Sequence, residues 1–137
     1  MSRIKQTQPG DLLPPTDHVT DTKQQFMYNA ALWNAHRIHF DLPYATEVEG
    51  YPGLVIAGPL MGEWLTQCVH DWLGGDGSII SFEFSNRRAA YVGDVLHSKG
   101  KVVSTQPAAG TASLELQVVN AEGEAVTLGA AVVSFSD

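Results

Sequence analysis

The sequence has a single cysteine, Cys68, in 137 residues. That excludes an intramolecular disulfide and any metal cage built on thiolates. Basic residues are scarce: eight Lys and Arg stand against 15 Asp and Glu, a formal net charge of −7, and no basic run occurs. Nucleic-acid binding by general electrostatics is not expected, although a local cation or a helix N-terminus can still hold a small anion. Long apolar runs are missing too. The longest, GLVIAGPLMG, is too short and too interrupted to span a bilayer. The opening MSRIKQTQPGD has no apolar centre, so no signal peptide is read there and a cytoplasmic protein is expected. Only 17% of residues are charged against 44% apolar, the balance of a chain that folds around a core. One compact domain over residues 1–137 is the expectation.

What is present divides into a helical half and a stranded half. The entry QTQPGDLLPPTDH is proline-rich and extended rather than helical. Asp21 offers an N-cap, with Gln24 three residues on in a weak capping box. Phe26, Met27, Ala30, Ala31 and Asn34 then fall along one face, which predicts a helix over residues 22–33 with Asn34 at its end. Gln25 lies before this apolar face begins. The stretch AHRIHFDLPYATEVEGYPG is broken by Pro43, Gly50, Pro52 and Gly53, with one helical turn over residues 43–48 capped by Asp41. The clearest helix starts at Gly58-Pro59. Leu60, Trp64, Leu65, Cys68, Val69 and Trp72 recur at helical spacing, and GGDG at residues 74–77 ends it. Cys68 within that stripe reads as a plain core residue.

From there the period becomes two. SIISFEFS turns Ile80, Phe82 and Phe84 to one face, and TASLELQVV does the same with Ala112, Leu114, Leu116 and Val118. HSKGKVVST and VTLGAAVVSFS supply further strands, with NAEGEA as a hairpin turn. Only a curved antiparallel sheet wrapped around a long central helix buries the helix stripe and one face of every strand. The expected architecture is therefore an α+β hotdog fold with at least four strands.

Chemistry-bearing residues gather at the end of the first helix. Asn34, His36, Arg37, His39 and Asp41 fall within eight residues. Imidazole moves protons near neutral pH. At the start of the buried helix, Gly58 and the amides from Leu60 onward lack intrahelical partners, whereas Pro59 has no N–H to give. An acid or base beside amide donors is what a developing enolate oxygen requires. Blander readings stand beside this one: loop histidines bonded to backbone, or a metal site from H-x-x-H, for which no third ligand is evident. Glu63 on the long helix is either a catalytic carboxylate or, from its place on the side away from the apolar stripe, a solvated one. Arg87, Arg88, Lys99 and Lys101 are either phosphate ligands or scattered surface charges.

Together PGDLLPP, NAHRIHFD, GLVIAGPL, YVGDVLHSKGKV and VVNAEGEAVTLGAAVVSF resemble the MaoC-like, R-specific enoyl-CoA hydratase/dehydratase family of hotdog proteins over nearly the whole chain. The N-x-H-R-I-H-x-D variant most resembles the C-terminal half of 3-methylfumaryl-CoA (mesaconyl-type) hydratases. The resemblance implies His39 as catalytic histidine, Asn34 where the family has its catalytic aspartate, and His36 where it has asparagine. It makes Gly58 the amide donor to the thioester carbonyl, flanked by Ala57 and Leu60, with Ala57 replacing a frequent histidine. It further implies a hydro-lyase acting on an acyl-CoA or acyl-carrier thioester without metal or other cofactor. The expected assembly is a homodimer, or a heteromer with a second hotdog subunit. Two other readings remain: a hotdog thioesterase using Glu63 or another carboxylate, and a non-catalytic acyl-thioester-binding subunit, encouraged by Asn34.

Overall fold

In a computed structural model, residues 2–136 are described. A short helix α1 (Arg3–Gln6) leads into strand β1 (Leu12–Val19) and helix α2 (Thr22–Ala31). Irregular chain follows, with a 3₁₀ turn at Arg37–His39 and a π-helical turn at Tyr44–Val48. The long helix α3 (Gly58–Leu73) comes next, then β2 (Gly77–Asn86), β3 (Val95–Gln106), β4 (Thr111–Val119) and β5 (Ala125–Phe135). The strands form one antiparallel sheet in the order β1-β3-β4-β5-β2, and α3 packs against all five of them. This is the hotdog arrangement.

The core is the seam between α3 and the concave face of the sheet. Leu65, Cys68 and Val69 from the helix meet Leu96, Val102, Leu114, Leu116 and Val118 from the strands, all buried. At Gly129 on β5 an added Cβ would come within 2.8 Å of Leu65 Cδ1, so a larger residue there would push the buried Leu65 side chain out of place. The helix stops where Gly74 takes a left-handed conformation and donates its N–H to His70 O.

Three local expectations need correction. The entry segment is extended but also pairs, as β1. Pro14 and Pro15 are tolerated because β1 is an edge strand and its register slips between Leu13 and Thr16, where they lie. In β2 a bulge between Ile79 and Ser81 breaks the simple alternation, so Ile79 and Phe82 pack on the core while Ile80 is 58% exposed. The largest departure is α2. Asp21 caps it as expected, accepting the Gln24 N–H at 2.7 Å, but its buried face is polar. Gln25 and Asn29 are buried, whereas Phe26 and Met27 are 60% and 64% exposed. Helix α2 also ends earlier than the spacing predicts. Trp33 enters the left-handed region at φ 58 and is 94% exposed, and Asn34 closes the turn by donating to Asn29 O at 2.8 Å. No helix among the described residues is long and apolar enough to cross a membrane.

Candidate active site

The buried amides of α2 explain how the site is held. Gln25 Nε2 donates to Val55 O, and Gln25 Oε1 accepts the Ala57 N–H at 3.3 Å. One fully buried side chain thus clamps residues 55–57, the backbone that leads into α3. Satisfying both ends of the amide makes its burial tolerable. Gln25→Leu leaves the Ala57 N–H orphaned in the interior, and a loss of about 2 kcal/mol is expected. The midpoint of denaturant unfolding checks it.

The same carbonyl fixes the histidine. His39 is buried, and its Nδ1 lies 2.7 Å from Val55 O. A carbonyl can only accept, so Nδ1 carries the proton in the neutral ring and Nε2 keeps its lone pair. Burial pulls the His39 pKa below its ordinary value of 6.5. The Val55 carbonyl opposes this, and the nearby His36 adds to it. Burial thus favours the neutral ring over the charged one. Backbone bonds hold this segment from both sides: Val55 N–H donates to Ile38 O, and Ile56 N–H to Ala90 O.

The preceding turn is set by short polar contacts. Asn34 Oδ1 accepts the His36 N–H at 3.1 Å. His36 is exposed and stands edge-on to His39, with ring centroids 5.7 Å apart. Asp41 takes Arg37 Nε and Nη2 at 3.0 and 2.8 Å and accepts the Tyr44 N–H, which caps the following helical turn. The Arg37 guanidinium holds the Asp41 carboxyl below the usual carboxylate range.

A cavity of about 320 Å³ opens beside His39. Gly58, Met61, Asn86, Arg87 and Arg88 are among its other walls. His39 and Gly58 thus face one space. The Gly58 N–H, first amide of α3, has no acceptor among the described residues. Of the other sequence candidates, Arg87 and Arg88 share this wall, whereas Ala57, Leu60, Asn34, His36 and Glu63 do not. Ala57 is fully buried with its N–H given to Gln25, and the Leu60 N–H donates to Ala57 O at 3.0 Å. The expectation that amides from Leu60 onward are free donors is corrected accordingly: the first turn of α3 already uses that one. Asn34 and His36 lie on the turn before His39 rather than in the cavity wall. Glu63 is exposed on α3 and does not line the cavity.

Two residues escaped the sequence reading. Gln25 gave no signal because its polarity argued for solvent. Asn86 ends β2, and its partner is Thr127 on β5, a pairing that no local pattern reveals. Among the described residues, no three His, Cys, Asp or Glu side chains converge in a way that could hold a metal ion.

Comparison with known proteins agrees with this architecture. The family model for hydroxyacyl-thioester dehydratase type 2 matches residues 4–92. A mesaconyl-C(4)-CoA hydratase of Chloroflexus aurantiacus is 45% identical over 64 residues, which take in 43% of this chain and 23% of that protein. The chain thus spans under a quarter of the length of that curated relative. Among solved structures, an (R)-hydratase from A. caviae involved in PHA biosynthesis superposes with a TM-score of 0.86 at 16% identity, covering 94% of this chain and 97% of that one. A chain of the ChsH1–ChsH2 complex from Mycobacterium tuberculosis gives 0.84 at 18% identity, covering 95% and 99%. These likenesses establish the fold, and the family match covers well over half of the sequence. The chain belongs to the hydroxyacyl-thioester dehydratase type 2 family, built on the MaoC-like hotdog fold.

Proposed function

We propose that this chain is a hydro-lyase that adds water reversibly across the α,β double bond of a 2-enoyl thioester. The observation that carries the reading is the shared cavity: His39, with its Nδ1 bonded to Val55 O, and Gly58, with its N–H unpaired among the described residues, both line one space. In the hydration direction His39 Nε2 takes a proton from water as the water oxygen bonds to the β-carbon. The π electrons of the double bond move toward the thioester carbonyl, and its oxygen gains enolate charge beside the Gly58 N–H. The proton on His39 then passes to the α-carbon. Dehydration runs the same steps backward. Asn34, outside the cavity wall with its Oδ1 accepting the His36 N–H, shapes the turn that leads to His39 rather than orienting the water. The reaction needs no metal or redox cofactor.

The substrate is proposed to be an acyl-CoA or acyl-carrier thioester, of mesaconyl type by the partial likeness to the Chloroflexus enzyme. Arg87 and Arg88 are the cations at the cavity. Arg88 pairs with Glu124 at 2.9 Å, whereas Arg87 has no ion pair among the described residues and suits a carrier phosphate. Lys99 and Lys101 lie elsewhere on the sheet, where Lys101 faces Glu115. A second hotdog subunit, identical or different, is proposed as partner. In its support, β1 and β2 are open edges, and Phe26, Met27, Leu32, Trp33 and Phe40 expose large apolar surface around the turn that carries His36. Light scattering on the purified chain, alone and with candidate partners, distinguishes the assemblies.

The test of activity is loss of the enoyl-thioester absorbance on mixing with crotonyl-CoA and a mesaconyl-type thioester. Release of free thiol without hydration would mean a thioesterase. Binding without turnover, partners included, would mean a non-catalytic subunit. The pH profile carries a further expectation. A base must be deprotonated, so kcat/KM falls as acid protonates His39. Because its pKa is lowered, that acid limb is expected below the ordinary 6.5. An acid limb above neutrality would contradict the assignment.

A further inference from the structure

The proposed reaction leaves the thioester oxygen with one donor, the Gly58 N–H, where an oxyanion cradle ordinarily uses two. Asn86 stands where the second is needed. It ends β2 directly opposite Thr127 of β5 and forms part of the same cavity wall as His39 and Gly58. Its amide is oriented: the buried Thr127 hydroxyl donates to Asn86 Oδ1 at 2.9 Å. With the oxygen so engaged, the Nδ2 group turns the other way, toward Gly58. A Cβ built on Gly58 would lie 3.1 Å from Asn86 Cγ, with Nδ2 closer still. The amide therefore rests against the Gly58 Cα. No acceptor for Nδ2 is present among the described residues. A carboxamide with its oxygen anchored and both N–H bonds unspent, beside an unspent backbone N–H, puts two free donors on neighbouring residues of one cavity wall.

We infer that Asn86 is a catalytic residue, its Nδ2–H holding the thioester oxygen together with the Gly58 N–H as enolate charge develops. Thr127 is a positioning residue that acts through Asn86. This inference rests on the enoyl-thioester reading above, so its test includes a readout that does not need water addition. A 3-oxoacyl thioester such as acetoacetyl-CoA ionises to an enolate with its own ultraviolet band, and a two-donor cradle favours that form on binding.

The variants are Asn86→Asp, which keeps the shape but replaces the donor with an acceptor, and Thr127→Val, which removes only the anchoring hydroxyl. Asn86→Asp is expected to lower kcat by about a hundredfold or more while KM stays within about threefold, the mark of a contact made in the transition state. The bound enolate band should vanish in Asn86→Asp and weaken in Thr127→Val, whose kcat loss is expected to be about tenfold. Thermal unfolding of each variant checks that the fold survives, and Asn86→Ser serves as a second variant should the aspartate unfold the chain. If wild type raises the enolate band and the variants lose it, the donor role stands even where enoyl thioesters are not hydrated. That pattern would sink the hydratase reading alone. Wild-type kcat and an undiminished band in folded Asn86→Asp or Asn86→Ser would overturn the role of Asn86, as would a wild type that binds the probe without raising the band.

Discussion

His39→Ala is expected to lower kcat for enoyl-thioester hydration by about 100- to 10,000-fold, the range general acid–base catalysis supplies. The loss should not arise through unfolding. The ring is held by one hydrogen bond to Val55 O, and that carbonyl keeps Gln25 Nε2 as a second donor when the imidazole is gone. Thermal stability is therefore expected to change far less than rate. His39→Gln sharpens the comparison, because an amide can still donate toward Val55 O but cannot carry the proton to the α-carbon. Both variants should be nearly dead in single-turnover absorbance assays, with substrate binding retained. Wild-type turnover in either would remove the imidazole from the chemistry.

Gly58→Ala is the second large expectation. The new Cβ would collide with the Asn86 carboxamide, and one of the two must move. Either movement displaces an N–H from the thioester oxygen, so a loss of roughly 100- to 1000-fold in kcat is expected, as for removal of one oxyanion donor. A steric cause has a distinctive signature. Trimming the neighbour in a Gly58→Ala/Asn86→Ala double variant should recover most of the lost thermal stability, because the space is restored. Activity should not return, because a donor is then missing. Recovery of both together would mean that the contact is only a matter of packing.

How much of this was legible in the sequence depended on whether local pattern and tertiary role agreed. In α3 they agree. The stripe from Leu60 to Trp72 faces the sheet, and the glycines after Leu73 supply the left-handed stop. In β4 the strict alternation of Ala112, Leu114, Leu116 and Val118 is the pattern of burial. Strand β2 defeated the count because one bulge moves Ile80 off the face that spacing assigns it. Helix α2 defeated it more deeply. Hydrophobicity orders side chains by their affinity for water, but Gln25 is inside because the Val55 carbonyl and the Ala57 N–H, both from elsewhere in the chain, accept from it and donate to it. The same reason hid Asn86, whose orientation depends on a hydroxyl from β5. His39 and Gly58 were legible through family resemblance and the helix-start pattern. That they open on one cavity required the fold.

The left-handed turn that ends α2 has an optical consequence. Of the three tryptophans, Trp64 stacks under His18 with ring centroids 4.2 Å apart, and Trp72 packs edge-on against Phe135. Trp33 alone stands in water, on the hairpin of chain just ahead of His36. Its indole should emit at the red end of the protein's fluorescence and be readily quenched by iodide. A label-free signal is thus built in next to the turn that carries His36, and any macromolecule that settles over this surface should announce itself as a blue shift.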